Sequence, residues 1–154
     1  MDRVIYRHYG KTFDENLIAT CINKQCNLLK PKGLWACNRS TDDWKHWCMA
    51  ENFNVNSLKT YFDFKLNNHK ILYINKKEDV LPYIEQDDIL GKWSNQVYAD
   101  YDGIFMTDEG LYRLKDYRNL FSEDNKAIFL STMASSFDVP SLCLWNYKGI
   151  DVLE

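Results

Sequence analysis

Three groupings of residues carry chemistry. In STDDWKHWCMAENF, Trp44, Trp47, Cys48 and Glu51 stand at i, i+3, i+4 and i+7. On a helix these positions share one face. A carboxylate closing a tryptophan stripe has two readings. Either Glu51 ends the helix in water, or it sits at the rim of an aromatic pocket with a raised pKa. Just upstream, KPKGLWAC sets Leu34 and Trp35 after a Pro31–Gly33 turn. Gly33 has no Cβ, so backbone there can approach a ligand closely, and Trp35 offers a flat face for stacking. A turn leading into a core strand is the plainer reading. Third, the run RVIYRHYG ends in His8, Tyr9 and Gly10, with His8 on the strand face of Val4 and Tyr6. An imidazole at a strand end is open to a ligand, although a lone histidine also serves as an ordinary core or surface residue.

The cysteines argue against a metal. Cys21, Cys26, Cys37 and Cys48 are separated by four, ten and ten residues, with no CxxC or HxxxH pair. His46 and Cys48 are two apart on a helix and point to different faces. Five cysteines fit reduced thiols that pack as small apolar groups.

The elements that must position these residues mix helix and strand. RVIYRHY, LWAC, YFDFKL, KILYI, YDGIFM and PSLCLWN read as strands, and YFDFKL with KILYI as a hairpin around NNH. Helices are expected over DENLIATCINKQ, the opening tryptophan stripe, DDILGKWSNQVY (Ile89, Trp93, Val97) and EGLYRLKDYRNLF (Leu111, Leu114, Tyr117, Phe121). AIFLST suits a strand or a helix end. Ser40 and Asp43 are spaced as a capping box for the tryptophan helix. The strands do not alternate with helices as in a doubly wound sheet, so the expected class is α+β with largely antiparallel strands. No GxGxxG, GxxxxGK[ST] or GxSxG is present.

Composition sets the outer bounds. The 154 residues suit a single domain, 1–154, with one core. Aromatic content of 15% exceeds what packing alone requires and suits an aromatic-lined pocket. A net charge of −3 without a basic block gives no footprint for nucleic acid. No apolar run reaches the ~18 residues of a membrane span, and MDRVIYRHYG lacks a signal-peptide core, so a cytoplasmic protein is expected.

The order of these patches resembles the ADP-ribosyltransferase fold, and in particular a set of small bacterial and phage proteins of that kind. YRHYG, KPKGLWAC followed by WKHWCMAENF, YDGI and SFDVPSLCLWN carry the resemblance. It implies a split β-sandwich of two mainly antiparallel sheets, with NAD bound across the cleft as substrate and no metal. By the resemblance, His8 meets a ribose hydroxyl and Tyr9 or Gly10 the nicotinamide amide. Gly33, Leu34 and Trp35 form the nicotinamide shelf, and Trp44 or Trp47 closes the pocket. Family members carry a catalytic Glu at the start of the last motif strand. Here Asp138 and Ser141 occupy that region, which leaves Asp138, Glu51 or Glu109 as the acid. The implied activity is ADP-ribose transfer from NAD to a host macromolecule, or NAD hydrolysis, in a phage, toxin or anti-defence setting. Net acidity favours a protein acceptor. The alternative is a relative that binds a nucleotide or a protein without catalysis.

Overall fold

The structure, a computed structural model, describes residues 3–10, 31–85, 91–115 and 125–153. The helix expected over 14–25 lies outside them, as do Ile89, Tyr117 and Phe121. The chain begins with strands β1 (Ile5–Tyr9) and β2 (Leu34–Asn38) and helix α1 (Asp43–Glu51). A 3-10 turn over Val55–Lys59 leads to β3 (Tyr61–Lys65) and β4 (Ile71–Ile74). Next come the one-turn helix α2 (Lys77–Val80), the short strands β5 (Ile84–Glu85) and β6 (Lys92–Trp93), and helix α3 (Asn95–Asp100). Strand β7 (Gly103–Met106), helices α4 (Asp108–Lys115) and α5 (Asn125–Ser135), and strands β8 (Ser141–Leu144) and β9 (Asp151–Leu153) complete it.

The class is α+β. Seven strands form one mixed sheet in the order β4-β7-β8-β2-β1-β3-β9, and β5 pairs with β6 in a separate ribbon. Within the sheet only β4–β7 is parallel. Alternation along the strands separates two apolar layers. Leu72, Ile74, Ile104, Met106 and Cys143 face α4 and α5, meeting Leu111, Leu114, Phe129 and Met133. Tyr6, Ala36, Phe64, Leu142 and Leu144 form the other layer with Tyr147 and Ile150.

The sheet is not flat. β1 and β7 stand three strand spacings apart, roughly 14 Å along a flat sheet. Yet the Tyr6 and Phe105 rings lie 6.2 Å apart. The two halves therefore curl toward each other around the second layer. This curl explains why YFDFKL and KILYI are not a hairpin. β3 pairs with β1 and β9, whereas β4 pairs with β7. Phe62, Phe64, Leu66 and Ile71 all pack on the second layer, so the Asn67–His69 connection arches from one half to the other.

Two further expectations give way to local chemistry. Ser40 does not cap α1: its hydroxyl and amide both donate to Asn38 Oδ1, at 2.7 and 2.9 Å. The cap position falls to Asp42 in the left-handed region (φ 50°), which Asp tolerates better than most residues. Trp93 is a strand residue of β6, and only Val97 of its stripe is helical and described. AIFLST belongs wholly to helix α5. No described helix is long and apolar enough to cross a membrane.

Candidate functional site

The site begins where β2 changes partner. Leu34, Trp35 and Ala36 pair with Leu144, Cys143 and Leu142 of β8. Cys37 and Asn38 pair with Arg7 and Tyr6 of β1. β1 continues to pair with β3 through Tyr9, opposite Tyr61, but its pairing with β2 ends at Arg7. A gap therefore opens between β1 and β2 beyond that residue.

His8 spans the gap. Its Nδ1 lies 2.5 Å from the Trp35 carbonyl oxygen. A carbonyl only accepts, so Nδ1 carries the proton and Nε2 is left as an acceptor in the neutral ring. Burial pushes the His8 pKa below the ordinary histidine value, and the bond to Trp35 offsets part of that shift. The imidazole is thus neutral at pH 7. Gly10 is shaped to it: its φ is +155°, and a Cβ there would stand 2.6 Å from His8 Nε2.

Around the gap lies a cavity of about 330 Å³, at the small end of the range for ligand pockets. His8, Tyr9, Trp35, Trp44, Asp138 and Ser141 all line it. These come from β1, β2, α1, the segment between α5 and β8 and the first residue of β8, so three stretches distant in sequence meet here. Trp35 packs against Phe137, with ring centroids 5.3 Å apart and planes tilted by 57°. Trp44 stacks on Trp47 at 5.2 Å and 15°, and Phe53 meets both edge-on.

A charged network anchors the wall that carries Trp44. Arg7 grips Asp63 with two nitrogens, at 2.7 and 3.0 Å, and its third nitrogen is 3.7 Å from Asp42. The guanidinium also lies 3.9 Å above the centre of the Tyr61 ring. Hydrogen bonding to Arg7 holds the Asp63 carboxyl below its ordinary pKa, aided by Arg39 at 3.3 Å. Tyr9 donates to Asp42 Oδ1 at 2.7 Å. Burial, then this bond, pushes its phenol up to about 12. Tyr9, Arg7 and Asp42 together fix the start of α1 against β1.

The remaining candidate residues have other positions. Trp47 supports Trp44 from behind. Gly33 is not part of the cavity wall; a Cβ on it would fall 2.2 Å from the Leu144 carbonyl oxygen, so its close approach is to β8. Leu34 packs in the second layer. Glu51 is exposed at the end of α1 and does not line the cavity. Glu109 is exposed and pairs with Arg113 at 2.7 Å. Asp138 is the carboxylate on the cavity wall, and it is exposed. Ser141 is buried, and its hydroxyl donates to the Val139 carbonyl at 2.9 Å.

Sequence reasoning passed over Arg7, Cys37, Asn54, Ser57 and Phe137, which also line the cavity. Arg7 precedes His8 and faces the other side of β1, a placement alternation gives but whose partners it does not. Burial pushes the Cys37 thiol up to about 11, so it is a packing residue rather than a nucleophile. Among the described residues, no group of three or more His, Cys, Asp or Glu is placed to hold a metal ion. No protein-family model, curated protein or solved structure matches the chain.

Proposed function

We propose that this chain binds NAD in the cavity at the β1–β2 gap and cleaves the bond between nicotinamide and ribose, as an ADP-ribosyltransferase or NAD glycohydrolase of a split-sandwich fold. One observation carries the reading. His8, Tyr9, Trp35, Trp44, Asp138 and Ser141, drawn from three stretches of the sequence by residue type and by the resemblance, line a single cavity. The partner change in β2 and the curl of the one mixed sheet support reading it as a split sandwich.

The chain's groups suit the chemistry. Neutral His8 presents Nε2 as an acceptor for a ribose hydroxyl. Trp35 and Trp44 offer flat faces for the nicotinamide ring. As the C–N bond breaks, its electron pair leaves with nicotinamide and positive charge develops on the ribose. A carboxylate stabilises that charge where it forms. Asp138 is the acid on the wall for this part. The acceptor's nucleophile, from a protein side chain or from water, then attacks the anomeric carbon and gives up its proton.

A second reading, a nucleotide-binding module without turnover, has two observations in its favour. Asp138 is exposed, and the Ser141 hydroxyl is already engaged by Val139. Incubating the pure protein with NAD and following nicotinamide, with and without cell lysate, separates the two. Release supports the enzyme. Saturable binding without release in either arm supports the module. No binding refutes both.

A further inference from the structure

Among the described residues, the cavity wall holds three groups that are charged or titrate near neutral pH, Arg7, His8 and Asp138, while the Tyr9 phenol and Cys37 thiol stay protonated. Arg7 directs all three nitrogens at Asp63 and Asp42. Its charge is therefore met outside the cavity. His8 is half-buried and hydrogen-bonded to Trp35, and desolvation lowers its pKa, so it adds no positive charge near neutral pH. Asp138 has no hydrogen-bond or ion-pair partner among the described residues. Among the described residues the wall thus carries one uncompensated charge, and it is negative. The same wall carries two rings, Trp35, backed by the buried Phe137, and Trp44. Aromatic faces carry negative potential and attract a nitrogen cation, most strongly when water is excluded.

We infer that the cavity is a site for a small organic cation, a flat or quaternary nitrogen such as an N-substituted pyridinium, held between Trp35 and Trp44 with its charge toward Asp138. Among the described residues, no uncommitted cation stands on the wall to receive a phosphate, so an anionic portion of the ligand is expected outside it. Extending this to NAD rests on the function proposed above; recognition of the cation does not. For NAD, the site reads the positive charge of the oxidised ring and discriminates against the reduced, uncharged one.

The test compares 1-methylnicotinamide with nicotinamide by calorimetric titration of the wild type and of Asp138→Asn. The two ligands share a ring and an amide and differ by one methyl group and the charge. The cation is expected to bind about tenfold more tightly or better, and the preference should fall below about threefold in Asp138→Asn. Equal affinities, no binding of the cation at millimolar concentration, or an unchanged preference in Asp138→Asn would each overturn the inference. NAD⁺ and NADH form a second arm. Equal binding of these two refutes the extension of the inference to NAD while leaving nucleotide binding intact. A preference for 1-methylnicotinamide with no NAD binding or cleavage supports it and refutes the proposed function.

Discussion

Replacing Gly10 with Ala probes the site through its most constrained contact. Gly10 has φ +155°, outside the range that L residues adopt readily, and a side chain there costs about 1–3 kcal/mol in backbone strain. The added methyl would also stand 2.6 Å from His8 Nε2, so the imidazole must move. Movement breaks its bond to the Trp35 carbonyl and leaves a partly buried acceptor unpaired, at about 1–3 kcal/mol. Gly10→Ala should therefore lose roughly 2–6 kcal/mol of stability. Only the backbone part remains once His8 has become Ala, because the ring is gone. Urea unfolding of the wild type, both single variants and the double variant measures the difference as a coupling. The expected coupling is about 1–3 kcal/mol, with the double variant more stable than the sum of single losses implies. Additivity within about 0.5 kcal/mol would refute the placement of His8 against Gly10.

Asp63→Asn breaks the two-nitrogen grip of Arg7. The pair is mostly but not fully buried, so screening reduces the loss to about 1–3 kcal/mol in thermal or urea unfolding. Asp63 has a folded pKa below its unfolded value, so its contribution is complete above pH ~4 and is lost as pH falls further. The acid limb of the stability curve should flatten in the variant. His8 has the same sign from the opposite charge: its folded pKa is lowered, the unfolded chain binds the extra proton, and stability declines as pH drops below ~6.5. His8→Gln should remove that slope, as unfolding at a series of pH values would show. Glu51→Gln should leave both ligand binding and stability within ~0.5 kcal/mol of wild type, because the carboxylate is exposed and outside the cavity. A large loss of binding would return Glu51 to the site.

Much of this was legible from local pattern. The strands at Ile5–Tyr9, Leu34–Asn38 and Gly103–Met106 follow their apolar runs, and Leu111 and Leu114 mark the buried face of α4. Of the cavity residues, His8 and Tyr9 stood at a strand end, Trp35 in its strand and Trp44 on a helix face; Asp138 and Ser141 came only with the resemblance, and Arg7, Asn54, Ser57 and Phe137 only with the fold. Pairing was less legible, because it depends on contacts distant in sequence. YFDFKL and KILYI carry the marks of a hairpin, and only the curl of the sheet sets them face to face. The partner change in β2 leaves no mark in LWACN, since Trp35 and Cys37 alternate as in any strand. Gly33 signals close approach, and only the fold reveals that the neighbour is the Leu144 backbone. Glu51 completes a helical stripe, but in α1 only Cys48 is buried, so the stripe ends in water.

Saturation-transfer NMR of NAD⁺ with the wild-type protein and with His8→Ala tests the central claim most directly. A cavity built from His8, Trp35 and Trp44 predicts the strongest transfer to the nicotinamide ring protons, weaker transfer to adenine, and loss of the nicotinamide signal in His8→Ala. Transfer strongest at adenine, an unchanged pattern in His8→Ala, or no transfer at all would contradict it.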